Sequence, residues 1–552
     1  MFSRIHHHPL AQKKWDKVRA LSCTILFNVL CITTATATAS HQAVMVSSAF
    51  TQSPIQINLI SALNHTNLPL KKEVTKLYAS QDFKLLWSNG ESYNDNAKQL
   101  FKTIQQADNF GLNPNDYDYQ ILQSFLDATS IDANLISRSD IVFSHAYVKL
   151  ASHVSHGKHI QPNIVLNDHG ILSTLSDAAN TQSISATLES LQPTHNHYAR
   201  LLNALQYYKH LPKDLPSINL NTRSLEFNDR SPEIVKLRTL LQAFGDYRGD
   251  DLTNEFFDEA IMVALSDFQL RHGLEPDGIL GRQTVRELNT PISQRITQLE
   301  INLARSKTLP DSQDHRYLHV NIPAYELYLH DNNQITFQTR VVVGKKKNKT
   351  PLLSSELKQV VINPYWNVPR SITQKEIIPA IQQDPQYLAK NNMKLFGRMN
   401  NKTYQLNPDA FDWQNIDPAN TNFRVRQEPG VKNSLGQIKF LFPNRHSVYL
   451  HDTPAKNLFA LPSRAFSHGC IRVQDPFALA EAVLTTDGVW SKGDLLYLAK
   501  RNKQKTLTLQ NPIPIHVTYM TAWVDEHGIV HFRPDIYQRD SQFAANLYNA
   551  SH

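Results

Sequence analysis

YLHDTPAKNLFALPSRAFSHGCIRV, residues 449–473, gathers His451, Asp452, Ser467, His468, Gly469, Cys470 and Arg472 into one stretch. A thiol at its ordinary pKa is only a few per cent thiolate near neutrality, and an imidazole that takes its proton supplies the nucleophile for acyl transfer. Two imidazoles qualify. His468 lies two residues from Cys470 and shares its face if the segment is extended. His451 ends the strand-like run HSVYLH, where a sheet would hold its backbone, and a base must stand within hydrogen-bond reach of its proton. Gly469 lets the chain turn beside the nucleophile, and backbone amides there would form an oxyanion hole. The same stretch offers a zinc set in His451, Asp452, His468 and Cys470. It lacks the Cys-x-x-Cys partner of zinc deaminases, and the residues around Cys470 are not those of papain-like proteases.

The N-terminus sharpens the case for the thiol. Residues 1–19 are basic, Ala20–Ile32 is an apolar run, and TTATATAS follows, which is the three-part pattern of a secretory signal with Ala37-Thr38-Ala39 as cleavage site. An uncleaved signal anchor is the alternative, since Ala20–Ala39 is just long enough to span a bilayer. Bulky Leu30 before Cys31 excludes a lipoprotein box. The chain is therefore expected in the periplasm, touching the inner membrane only if the leader stays. Of the three cysteines, Cys23 and Cys31 lie in the leader, so the exported body keeps Cys470 alone and has no intrachain disulfide. A lone thiol in an oxidising compartment is either buried and inert or present for its chemistry, and its neighbours favour chemistry.

The 552 residues suggest about three or four domains. With 41% apolar and 19% charged residues, 24 Phe and 20 Tyr, the composition is globular. The net charge of +7 owes much to the leader, and residues 40–552 hold 51 Lys+Arg against 48 Asp+Glu. That near-neutral body gives no case for a nucleic-acid partner.

Residues 40–70 are Ser/Thr/Asn-rich without periodicity and read as a flexible lead-in. From 71 to 225, apolar spacings of three and four predict a helical domain, including VTKLYASQDFKLLW, NAKQLFKTIQQADNFGL and a helix over 141–154. His153, His156 and His159 recur at its end, but no carboxylate or Cys completes a metal set. SPEIVKLRTLLQAFG, FDEAIMVALSDFQLRHGL and RQTVRELN predict three helices within 226–292, and 293–314 reads as a linker. From Tyr317 the pattern turns to strands, in YLHVNIPAYELYLH, ITFQTRVVVG, KQVVINPYWNVP and HSVYLHDT. The run Lys345-Lys346-Lys347-Asn348-Lys349 after Gly344 reads as an exposed turn. Residues 372–424 interrupt the strands with a helical stretch and a polar, Asn-rich one, an insertion over the sheet. PFALAEAVLT then predicts a helix, LLYLAK a strand, and PIPIHVTYMTAWVDEHGIVHFR a hairpin around Glu526-His527-Gly528.

Phe268-Gln269, Gly273-Leu274, Asp277-Gly278, Gly281 and Thr284 resemble the signature of the type 1 peptidoglycan-binding domain. His451 followed by Ser467-His468-Gly469-Cys470-Ile471-Arg472 resembles that of the YkuD-type L,D-transpeptidases. Flanking text is similar to the large Gram-negative branch of that family: Tyr78 to Trp87, GLNPNDY at 111–117, Asn363 to Pro369 with Trp366, Pro429-Gly430, Asn433-Ser434-Leu435-Gly436 and Tyr519 to Trp523. The resemblance implies a multidomain α+β chain: a helical scaffold, a small three-helix peptidoglycan-binding-like domain and a β-rich catalytic domain at 315–540, with 372–424 as substrate lid. It implies that Cys470 attacks a tetrapeptide stem at meso-diaminopimelate and releases D-Ala, with His451 as base. A second diaminopimelate amine then takes the acyl group in a 3→3 cross-link. Tyr449, Gly469 and the Cys470 amide would hold the acyl oxygen. Arg472 would bind a carboxylate or brace the motif, and Ser467, His468, Trp366, Asn433 and Ser434 stand as further substrate-side candidates. Peptidoglycan stems are the implied partners, with other cell-wall enzymes beside them. No metal and no organic cofactor is called for. Water or a lipoprotein lysine as acceptor would make the same thioester serve a carboxypeptidase or a tethering enzyme. A non-catalytic wall-binding scaffold is the reading of a different class.

Overall fold

The computed structural model describes residues 54–158, 183–307, 309, 315–332, 334–484 and 490–549. The expected leader at 1–39 and His159 lie outside them. Among the described residues, no helix is long and apolar enough to cross a membrane.

The helical domain winds around Ala133–His156, which Asp132 caps by accepting from the Leu135 amide at 2.7 Å. Buried Asp140 ties the domain together, accepting from Tyr78 Oη at 2.6 Å and from the Leu86 and Trp87 amides. The lead-in reading fails over its last part. Pro54–His65 is a helix, with Leu59 and Leu63 one turn apart and buried with Val74, Tyr78 and Ile141. Two apolar residues in a polar run are too few to announce a period.

Helices Pro232–Ala243, Glu259–Arg271 and Arg282–Leu288 form the next domain with a small ribbon, β1 (Ser224–Leu225) on β2 (Leu280–Gly281). Its signature residues bind each other. Gln269, 2% exposed, donates through Nε2 to Asp277 Oδ1, Ile279 O and Thr284 Oγ1, and accepts from the Gly278 amide. The linker reading of 293–314 is corrected too. Ile292–Ser306 is a helix whose Leu299 and Leu303 are buried against helix Asn196–His210 and the hairpin Ala522–Val524/Val530–Phe532.

The third domain is a closed sheet. Its first four strands are β3 (Arg316–Asn321), β4 (Glu326–Asp331), β5 (Gln334–Gly344) and β6 (Leu353–Ile362). An insertion follows with β7 (Trp366–Asn367), β8 (Met393–Met399), β9 (Lys402–Leu406) and β10 (Phe423–Gln427). The main sheet resumes with β11 (Ile438–Leu441), β12 (Leu450–His451), β13 (Ala465–Ser467), β14 (Ile471–Val473) and β15 (Lys505–Thr518). Its order is β13-β5-β14-β12-β11-β6-β15-β3-β4, and β4 also pairs with β5, which closes the ring from β5 round to β4, with β13 added at the end of β5. Closure leaves few edges to solvent. Inside lie Leu318, Val320, Leu327, Val341, Val360, Phe440, Leu450, Ile471 and Val473, and burying each large apolar side chain contributes about 1.5–3 kcal/mol.

Two more expectations change. LLYLAK is helical, within Lys492–Lys500, because Ser491 and Asp494 form a reciprocal cap at its start and Leu495 and Ala499 share one buried face. The insertion is larger than 372–424 and has its own sheet, β7-β10-β8-β9. Its Asn richness is turn chemistry. Asn400 and Asn401, both at positive φ, join β8 to β9 in a tight hairpin.

Candidate active site

Register builds the site. The pair β12/β14 runs parallel with Leu450 opposite Ile471 and His451 opposite Arg472, and β11/β12 sets Lys439 opposite His451. Side chains alternate along each strand, so Leu450, Ile471 and Val473 fill the core while Tyr449, His451, Cys470, Arg472 and Lys439 share the opposite face. Tyr449 is thus the direct neighbour of Cys470 and His451 a diagonal one. The Tyr449 and His451 rings meet edge to face at 5.7 Å, and Lys439 Nζ stands 3.8 Å from the Tyr449 ring centre.

The Cys loop is held from within. Ser467 Oγ donates to the Cys470 carbonyl at 2.5 Å and accepts from the Gly469 amide at 3.0 Å. Thr350 Oγ1 donates to the Gly469 carbonyl, and the Lys345 amide to the Ser467 carbonyl. Gly469 has φ +116°, a conformation that L side chains rarely adopt, although a Cβ there would meet nothing closer than 3.8 Å. The backbone, not space, demands glycine. The basic run 345–349 thereby frames the Cys loop, with only Lys346, Lys347 and Lys349 exposed.

His451 is 5% exposed, and its Nδ1 contacts the Asp452 carbonyl at 2.5 Å. A carbonyl only accepts, so Nδ1 carries the proton and Nε2 keeps its lone pair for use as a base. Asp452 accepts from the Gln437 and Thr453 amides and from Lys456 Nζ, which fixes the turn behind the imidazole. Gly436 makes room, since a Cβ there would run into the Asp452 carboxylate.

Burial dominates the electrostatics. Desolvation raises the Cys470 thiol, against lowering contributions from hydrogen bonds of the Tyr449 backbone and side chain and from the charges of Lys439 and Arg472. His451 is pushed down to about 3, first by burial and then by Arg472, with Lys439 adding to it. Lys439 and Arg472 are themselves lowered by burial. Burial thus pushes the thiol up and the imidazole down, which opposes a preformed thiolate–imidazolium pair. The two cations favour a thiolate and disfavour an imidazolium, so a proton reaching His451 is readily passed on.

The other expected residues divide. His468 turns to Glu376 in the insertion, at 2.6 Å, and to Lys345. The shared-face expectation required an extended chain, and Gly469 breaks it. The Gly469 amide is spent on Ser467 and so is removed from the oxyanion hole, whereas the Cys470 amide makes no hydrogen bond among the described residues. Asn433 is also spent. It is 1% exposed, donating to the Pro364 and Glu428 carbonyls and accepting from the Leu435 amide, and it shapes a loop instead of facing substrate. Ser434 is half-buried beside it, its amide on Gln427 Oε1. Trp366 hydrogen-bonds Tyr449 and joins the insertion to the site. Arg472 keeps a buried Nε without a partner. The zinc set does not converge, because His468 and Asp452 are engaged elsewhere. Sequence reasoning missed Lys439 and Glu376. The one signal for Lys439 was a lysine between the apolar residues of IKFLF.

Residues 315–494 match the family described as "L,D-transpeptidase catalytic domain", 72–205 the "Scaffold domain" and 230–288 the "Putative peptidoglycan binding domain". A Haemophilus influenzae protein named "Putative L,D-transpeptidase" is 34% identical over 268 residues, 48% of this chain and 53% of the relative, so the chain spans about half the length of the curated relative it matches. Among solved structures, the Ldtfm-avibactam carbamoyl enzyme is 12% identical with a TM-score of 0.18, covering 37% of this chain and 49% of its own. An L,D-transpeptidase from Mycobacterium smegmatis is 13% identical with a TM-score of 0.17, covering 37% and 58%. A segment matching a scaffold domain and one matching a peptidoglycan-binding domain thus precede, on one chain, a segment at 315–494 that matches the L,D-transpeptidase catalytic domain.

Proposed function

We propose that the protein is a cysteine-dependent peptidoglycan L,D-transpeptidase that forms 3→3 cross-links in the periplasm. The observation that carries the reading is the placement of Cys470 beside Tyr449, His451 and Arg472 on one face of a domain matching that family. Cys470 Sγ attacks the diaminopimelate carbonyl of a tetrapeptide stem as its proton passes to His451 Nε2. The tetrahedral oxyanion takes hydrogen bonds from the Cys470 amide and Tyr449 Oη, each donor worth about 3 kcal/mol in such sites. The carbon–nitrogen bond to D-Ala breaks, and His451 returns the proton to the leaving amine, a transfer its low basicity favours. The amine of a second diaminopimelate then attacks the thioester, the carbon–sulfur bond breaks and the thiol is restored. Arg472, with its open Nε, holds a substrate carboxylate.

Mass analysis of muropeptides after incubation with tetrapeptide stems tests this. Cross-linked dimer is expected, together with a thioester adduct on Cys470. Cys470→Ala should retain its fold and lose both. Tripeptide without dimer would make water the acceptor, and cross-linking by the Cys470→Ala protein would end the thioester mechanism.

A further inference from the structure

The insertion carries an open cleft of about 370 Å³ that none of the chemistry above uses. Arg370, Arg398 and Arg424 line it, with Thr373, Thr403 and Asn422 between them and no carboxylate. Register gathers these groups: Arg398 on β8 faces Thr403 on β9, and Arg424 on β10 faces Phe396, two residues from Arg398 on the same face. Nearby cations are neutralised. Arg426 and Lys394 both reach Glu428, and Lys390 reaches Asp384. The three lining arginines have no such partner among the described residues. Arg370 donates only to the Ala419 carbonyl and Arg398 only to Asn401 Oδ1. The three guanidinium groups are exposed along one cleft, and their forked donors suit carboxylate or phosphate oxygens.

The cleft is also coupled to the nucleophile. Thr373 begins the single π-helical turn Thr373–Ile377, which carries Glu376, and Glu376 grips His468 two residues from Cys470. Thr373 Oγ1 is spent on the Pro369 carbonyl, so an anion would be held by Arg370, one turn before Thr373–Ile377, and would bear on the segment that touches the Cys loop. The donor stem already has its reacting carbonyl at Cys470, so a second peptide needs a hold elsewhere.

We propose that this cleft binds a carboxylate of the acceptor stem, a deepening that rests on the transpeptidase reading. The test uses the full chain, with the thioester preformed on Cys470 and its transfer followed by mass spectrometry against acceptor concentration. Replacing the three arginines together (Arg370→Gln, Arg398→Gln and Arg424→Gln) should raise the acceptor KM at least about tenfold, the scale of lost charge-assisted hydrogen bonds. Thioester formation should stay within about twofold, and Arg424→Lys, which keeps the charge and loses the fork, should fall between. An acceptor with amidated carboxylates should bind wild type as weakly as the native acceptor binds the triple variant. An unchanged acceptor KM, or an equal loss in thioester formation, overturns the proposal. Inorganic phosphate that binds the cleft without displacing the acceptor overturns it as well, since the site would then serve phosphate. Absence of any thioester in the wild type is a separate result, which removes the transpeptidase reading and this inference with it.

Discussion

In the module at 230–288 the signature residues satisfy one another, Gln269 spanning Asp277, Gly278, Ile279 and Thr284 in a buried hub. In the catalytic domain the signature residues leave groups open among the described residues: the Cys470 amide, the His451 Nε2 lone pair and the Arg472 Nε. Both motifs stand out in sequence, yet the first builds a fold and the second leaves chemistry undone. Buried polar groups are nearly always bonded, and the helical domain also leaves some unpaired among the described residues, such as Ser88 Oγ, so it is the clustering of open groups beside a thiol that singles out this face.

Removing the open imidazole is the strongest way to sharpen that contrast. His451→Ala should slow thioester formation with an acylating inhibitor at least about a hundredfold, and His468→Ala about tenfold or less, both followed by mass spectrometry from pH 5 to 9. A reversed order would make His468 the base and Gly469 no barrier to it. With the thiol raised and His451 at about 3, the wild-type rate should climb with pH through neutrality and show no inflection near 6.5. The same histidine links stability to pH. Its folded pKa lies below the unfolded value near 6.5, so its contribution is complete above about pH 6.5 and is lost as pH falls toward 3. Denaturant titrations should show His451→Asn losing less stability than wild type between pH 6.5 and 4, by up to about 1.4 kcal/mol per pH unit.

Tyr449→Phe probes a smaller opening. Losing a hydrogen bond to the thiolate should raise the thiol titration further and slow alkylation by iodoacetamide about tenfold at pH 7. An unshifted titration would remove Tyr449 from the site. For the closed hub the expectation inverts. Gln269→Leu strands the buried Gly278 amide and should cost about 1–3 kcal/mol in chemical denaturation, with thioester formation unaltered. A catalytic loss at full stability would break the comparison. The smallest effect belongs to Glu376→Gln. Its pair with His468 is about half exposed on the Glu376 side and worth about 0–1 kcal/mol, so Cys470 alkylation should change less than about fivefold.

Legibility followed the range of the interactions. The Cys loop was readable because Ser467, Gly469, Cys470 and Arg472 act within six residues, and three domains announced themselves by period and motif. Lys439 and Glu376 were not readable, because strand register and a contact 92 residues away bring them to the site. Asn433 was misread for the opposite reason: a polar residue in a motif looks available until its partners at Pro364, Glu428 and Leu435 are seen. LLYLAK looked like a strand because an apolar run has no period of its own, and the Ser491–Asp494 cap decided for helix.

By itself, then, the sequence pointed to Cys470 as the candidate nucleophile, to the resemblance that 315–494 bears out and to the order of the domains, since these rest on residue identity and local spacing. Tertiary structure alone decided that burial raises the thiol and lowers the imidazole, that Gly469 and Asn433 are spent on the fold, and that three arginines far apart in sequence line one cleft. Burial and partnering are properties of the surroundings, and those surroundings are assembled by strands that meet only when the sheet closes.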